Sequence, residues 1–217
     1  MILTEKINQT KKIIKRYLKK KDVGIFWSGG KDSTLLLYLI RECLENKDWP
    51  SIIILASDDE FPEIVEFIKR VTEKWKLPIV KFSYSTGENV RETRENKARL
   101  VTQVIKKLGL KYILDGIRAS EHPARAESKI IAKRKGHIRV HPIHMLTTAE
   151  VWEYTKSNGI PYCGLYNQGY TALGEKKYTQ KSTDIQNERS SRKYQEGATN
   201  MESYSNFKRL KQLGYFV

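Results

Sequence analysis

Residues 25–37, Ile-Phe-Trp-Ser-Gly-Gly-Lys-Asp-Ser-Thr-Leu-Leu-Leu, constrain this chain more than any other stretch. They read as a short buried strand, a glycine turn, and a helix that opens on polar residues and continues apolar. Gly29 and Gly30 let the backbone turn tightly and bring several N–H groups towards a ligand. The helix beginning near Lys31 adds unpaired N–H donors and the positive end of its dipole, which together make an anion site. Lys31 sets a formal positive charge beside that nest. The hydroxyls of Ser33 and Thr34 lie in the first turn, where they cap the helix or touch phosphate. A plain strand-to-helix turn is the alternative. Strand, Ser28-Gly29-Gly30-Lys31-Asp32-Ser33 and helix in register favour a phosphate-binding loop, with a spacing different from a Walker A motif.

The remainder alternates strand and helix. A basic amphipathic helix over 3–21, with Leu3, Ile7, Ile14 and Tyr17 on one face, precedes the first strand. Its basic face suits a membrane or RNA, though such helices more often cap a domain. The helix after the glycine turn runs to about Asn46. Residues 51–56 form a continuous apolar strand of the kind buried on both faces of a parallel sheet. That strand ends at Ser57-Asp58-Asp59-Glu60, followed by a helix from Pro62 to Lys76. A strand over 79–84, a helix over 89–108 closed by Gly109, and a strand over 112–114 leading into Asp115-Gly116-Ile117-Arg118 come next. This order predicts an α/β fold, a doubly wound, mostly parallel sheet with helices on both faces and right-handed crossovers. Ligands of such sheets sit at the carboxyl ends of the strands, where strand order reverses, so the Ser28, Asp58 and Arg118 loops should face one crevice.

From His137 the pattern changes. Residues 138–143 read as a short edge strand, and Thr147 or Thr148 caps a helix with Glu150 in its first turn, stopped at Gly159-Ile160-Pro161. From Tyr162 the chain is loop-like until a short helix around 201–213; it is too polar to fold alone and should pack over the site. Three parts follow: an N-terminal helix over 1–21, a nucleotide-binding domain over 22–175, and an irregular C-terminal tail over 176–217.

Forty basic against twenty-five acidic residues give a net charge of +15. A phosphate-rich ligand suits that excess, and so does the ion-pair-rich surface of a thermophile protein. Nucleic acid ranks lower, because no nucleic-acid motif accompanies the charge. No apolar run is long enough to span a bilayer, lysines interrupt any secretory leader, and two cysteines, Cys43 and Cys163, offer neither a disulfide framework nor a thiolate metal site. A cytoplasmic protein is expected.

Arg118 and Arg125 follow the fourth strand on one loop. Their forked guanidinium groups suit oxyanions, and a salt-bridge cluster with Glu121 and Glu127 explains the spacing as well. His137, His141 and His144 do not share a face if extended, which disfavours a metal site. Asp32 and Asp58 are better placed to hold Mg²⁺ bridging ATP phosphates.

Together these segments resemble the PAPS reductase branch of the PP-loop ATP pyrophosphatase superfamily, which includes PAPS reductases, the small subunit of sulfate adenylyltransferase, and FAD synthases. The matching pieces are Ser28–Ser33, Phe61-Pro-Glu63, Gly116-Ile-Arg118 through Arg125-Ala-Glu127, Arg139-Val-His-Pro-Ile143, Ile160-Pro-Tyr162 and Gly169–Gly174. The tail, with Glu188-Arg189, Arg192, Met201-Glu202 and Gly214-Tyr-Phe216, resembles the end of the sulfate adenylyltransferase subunit, which works with a GTPase partner. PAPS reductases carry a catalytic cysteine near their C-terminus, and this tail has none.

The resemblance implies an adenylyltransferase that cuts ATP between its α and β phosphates with release of pyrophosphate. Lys31, Arg118 and Arg125 are the expected catalytic groups. Ser28, Gly29, Gly30, Lys31, Asp32, Ser33, Ser57, Asp58 and Gly116 are expected around the nucleotide, with Asp32 and Asp58 on Mg²⁺. Sulfate is the first acceptor expected and FMN the second. A relative that borrows a thiol from another protein, and a non-catalytic nucleotide- or nucleic-acid-binding subunit, are the other readings. The expected partners are the nucleotide, the anionic acceptor, and a GTPase-type subunit or a second copy of the chain.

Overall fold

The structure is a computed structural model that describes residues 1–45, 48–182, 184 and 189–193. Six strands form one sheet: β1 (Val23–Phe26), β2 (Ser51–Ser57), β3 (Ile79–Tyr84), β4 (Tyr112–Leu114), β5 (Ile131–Arg134) and β6 (His137–Val140). Their spatial order is β3-β2-β1-β4-β6-β5, and every pairing is parallel except that of β5 with β6. From β1 the chain builds outward through β2 and β3, then returns to the other side of β1 for β4. The reversal falls between β1 and β4, so the loops after these two strands diverge and leave a crevice at their carboxyl ends.

Alternation along the strands decides which residues meet which helices. Ile25, Ile52, Ile54, Leu114 and Val140 point to one face, where they pack with α1 (Leu3–Leu18), α2 (Lys31–Cys43), α3 (Pro62–Trp75) and α6 (Thr148–Ser157). Ile53 and Ile113 point to the other face, against Val101, Val104 and Ile105 of α4 (Val90–Lys107). Helices therefore cover both faces, as the sequence predicts. Ile25, Leu35, Leu36, Ile52 and Ile53 are wholly buried, and burial at this level stabilises by roughly 1.5–3 kcal/mol per side chain.

Helix α1 is part of this core rather than an appendage. Ile7, Ile14 and Tyr17 are buried, Tyr17 meets Tyr112 with ring centres 5.4 Å apart, and Lys6 pairs with Glu150 of α6 at 2.7 Å. It ends at Leu18 rather than residue 21, and α2 ends at Cys43, short of Asn46. Caps fall where the residue types require them: Asn89 accepts from the Glu92 amide, and Thr147 forms a capping box with Glu150.

The segment expected as an edge strand is interior. β6 lies between β4 and β5, because Ile131–Arg134 folds back as an antiparallel partner through Lys135-Gly136, with Gly136 at φ +81°. Two of the four β5 residues, Lys133 and Arg134, are basic, so the segment lacks the apolar run that marks a strand. Beyond α6, 3-10 turns at Gly164–Gln168 and Lys176–Tyr178 and a bridge between Thr179 and Arg192 replace regular structure. The helix expected over 201–213 lies outside the described residues. No helix among them is long and apolar enough to cross a membrane.

Candidate active site

The β1–α2 turn is held by its own side chains. The Ser28 amide donates to Ser33 Oγ at 3.3 Å, the two serine hydroxyls lie 3.1 Å apart, and Ser33 Oγ donates to the Gly30 carbonyl at 3.1 Å. Gly29 sits at φ +72°, and a Cβ there would also press on Ile64 and Ile68 of α3 at 3.1–3.2 Å. Gly30 is the N-cap of α2 and carries no side chain to satisfy the helix donors. The Lys31 amide donates instead to the Tyr166 hydroxyl at 3.0 Å, a position suited to an anionic oxygen. The Lys31 ammonium is buried, 3.0 Å from Asp32 Oδ2 and 5.7 Å from the Tyr166 ring centre. Burial pushes the Tyr166 phenol up to about 12, so it remains a neutral donor. Thr34 turns away from the turn and accepts from Trp27 Nε1 at 3.0 Å in the core.

This turn forms one wall of a cavity of about 300 Å³. Ser28, Gly30, Lys31, Asp32, Ser33, Gly116 and Arg125 all line it. Gly116 follows β4 and lies so close to the first turn of α2 that a Cβ would stand 2.8 Å from the Ser33 nitrogen. Eight lysines and arginines against five carboxylates line the cavity, an excess of three positive charges that favours an anionic ligand. Two of those arginines, Arg189 and Arg192, come from the C-terminal segment, which the Lys176 and Lys177 amides tie to Asp59.

Four expected site residues stand elsewhere. Gly29 supports the turn from behind. Arg118 is wholly buried and does not line the cavity; its Nε donates to Asp32 Oδ1 at 2.7 Å and its Nη1 to Ser120 Oγ and the Leu146 carbonyl. It braces the helix start from outside the cavity lining. Ser57 and Asp58 also lie outside the lining. Both are absorbed by Thr86: its amide and hydroxyl donate to Asp58 Oδ1, which holds that carboxyl below its usual range, and its hydroxyl meets Ser57 Oγ at 2.9 Å. Arg125 is shared between the two readings of its loop. It lines the cavity and also pairs with Glu121 at 2.5 Å.

These contacts bear on magnesium. Both oxygens of Asp32 already face cations, Lys31 and Arg118, and Asp58 faces Thr86. Among the described residues no three His, Cys, Asp or Glu side chains converge as metal ligands do. Asp32 and Asp58 do not fit a shared resident Mg²⁺.

Glu60 and Glu175, which no local motif marks, also line the cavity. Burial raises Glu60 to about 7, against the opposing pull of Lys97. Glu175 is buried too, yet Lys97 and Arg192, each at 3.6 Å, and the Tyr84 hydroxyl at 2.6 Å bring it down to about 2. Two carboxylates in one cavity are thus driven apart in proton affinity, the common signature of a working site. Glu175 lies 91 residues from Tyr84 and 78 from Lys97, so no local pattern announces these contacts.

Neither cysteine reaches the cavity lining. Cys43 and Cys163 are buried and free, and burial raises both thiols, which disfavours the reactive thiolate.

Residues 22–181 match the phosphoadenosine phosphosulfate reductase domain family. The chain belongs to that family. Its fold and glycine turn are those of the PP-loop superfamily. A Caenorhabditis elegans protein described as a probable FAD synthase is 26% identical over 82% of this chain and 34% of its own length. A phosphoadenosine 5'-phosphosulfate reductase of Xanthomonas oryzae is 25% identical over 71% of this chain and 70% of its own. Among solved structures, Candida glabrata FMN adenylyltransferase in complex with FAD and inorganic pyrophosphate superposes with a TM-score of 0.68 at 25% identity, covering 83% of this chain and 66% of that one. Candida auris PAPS reductase gives 0.66 at 17% identity, a likeness of fold, over 79% and 90%. The chain thus spans a third of the length of the nematode relative.

Proposed function

We propose that this chain is an adenylyltransferase that uses ATP and transfers its adenylyl group to FMN. The observation that carries the reading is the cavity itself. A glycine turn and helix start with a buried lysine, built for phosphates, open onto a space with excess positive charge. Similarity to FMN adenylyltransferases supports FMN, and it moves FMN ahead of sulfate, the first expectation from the sequence. The burial of both thiols argues against reduction by this chain.

In the proposed reaction a phosphate oxygen of FMN attacks the α-phosphorus of ATP. The bond from that phosphorus to the bridging oxygen of the β-phosphate breaks, and pyrophosphate leaves. Lys31, the Tyr166 hydroxyl and the amides at the α2 N-terminus hold the departing pyrophosphate. Arg125 faces the charge that develops on the transferred group. Positioning and charge neutralisation account for most of the rate, as they do in phosphoryl transfer generally. Arg118 acts through Asp32 to keep the turn in place.

Incubation with ATP and FMN should yield FAD and pyrophosphate in equal amounts, and Lys31→Ala should lower that rate at least 100-fold without changing the melting temperature by more than a few degrees. Product from sulfate with none from FMN would replace the acceptor. Pyrophosphate with neither acceptor, or full activity in Lys31→Ala, would overturn the reading.

A further inference from the structure

The β4–β6–β5 end of the cavity carries polar groups that the glycine turn does not explain. The register sets Ile113 beside Arg139, and Arg139 beside Ala132. Alternation then puts Asp115, Arg139 and Arg134 on the face of the sheet that α4 covers farther along. Here that face presents two arginines, with only the small Ala132 directly across from Arg139.

Arg139 is 7% exposed; its Nη1 donates to Asp115 Oδ2 at 3.3 Å, and its Nε is buried without a partner among the described residues. Arg134 Nε and His141 Nε2 share that condition, and all three residues line the cavity. His141 is wholly buried, and its Nδ1 lies 2.5 Å from Asp115 Oδ1. A buried polar atom left unpaired costs about 1–3 kcal/mol, so three at one place call for a group that satisfies them together. The charges agree, since two guanidinium groups share one carboxylate that also serves His141. Burial and the neighbouring Arg139 both push the Arg134 pKa down, as expected for cations lacking a counterion.

We propose that Arg134, Arg139 and His141, with Asp115 orienting the latter two, form a second oxyanion subsite that takes the phosphate group of the second substrate. The two guanidinium groups donate to its oxygens. His141 Nε2 completes the set of three buried, unpaired atoms that face the bound group. The assignment of the subsite to the second substrate rests on the adenylyl-transfer reading; the subsite's binding of phosphate does not.

Calorimetric titration of the whole chain with inorganic phosphate, FMN and ATP tests this directly. Arg134 is half-buried and makes no bond to Asp115, so Arg134→Gln should fold; Arg139→Gln is the second variant, checked by its melting curve. Phosphate and FMN should both bind the wild type. Arg134→Gln should weaken them at least tenfold and leave ATP affinity within twofold. Loss confined to phosphate and not FMN marks free phosphate as the ligand; loss of both marks the monoester. Unchanged phosphate affinity in folded Arg134→Gln, or an equal fall for ATP, would overturn the subsite. Arginine-dependent phosphate binding without FAD formation would overturn the transfer reading and leave the subsite standing.

Discussion

At Gly116 a single methyl group would stand between β4 and the start of α2, because the nearest atoms are backbone and cannot swing aside. Gly116→Ala should therefore cost about 1–3 kcal/mol, the range for overpacking, and weaken ATP binding by shifting the Ser33 amide; thermal melts with and without ATP read both. Glu60 offers a second test at this scale. Its folded pKa, about 7, exceeds the unfolded value, so its contribution is fully present below the unfolded pKa and is lost as pH rises through 7. Glu60→Gln should match wild-type stability near pH 4 and exceed it at pH 8; a melting difference independent of pH would contradict the burial assigned to Glu60. Of the residues read from the sequence, the glycine turn was legible because its chemistry is local. The partners of Arg118 and Asp58, which are Asp32 and Thr86, lie 86 and 28 residues away, so no local pattern shows that these groups are engaged.

Helices and strands with strong periodicity, such as α3 and β2, were legible to within a residue or two of their ends. The β5–β6 hairpin was not, since only two of its eight strand residues, Ala132 and Val140, are buried apolar side chains, and a four-residue β5 ending in Lys133-Arg134 looks the same as loop until its partner is known. The cap of α4 gives a local prediction. Asn89→Ala removes the acceptor for the Glu92 amide and should cost about 1 kcal/mol, measurable by denaturant melts. The segment after Gly169 depends on Glu175, which joins it to Tyr84, Lys97 and Arg192. Glu175→Gln removes the negative charge that Lys97 and Arg192 both face and should destabilise by about 3 kcal/mol at pH 7. That loss should shrink as pH falls from the unfolded carboxylate value towards 2, where the wild-type group also becomes neutral.

Across the whole molecule, strand order does what no single motif does. The reversal between β1 and β4 sets the glycine turn, Gly116 and Arg125 around one cavity, and the C-terminal segment adds Arg189 and Arg192. This architecture was legible from the βα alternation together with the glycine turn. The acceptor was not, because the groups that would select it, Arg134, Arg139 and His141, assemble only through sheet pairing. Label transfer decides whether ATP is cleaved between its α and β phosphates at this cavity. With FMN present, label from the α-phosphate of ATP should appear in FAD, and label from the γ-phosphate should appear in pyrophosphate. Release of γ-label as inorganic phosphate, with no α-label in FAD, would contradict the account.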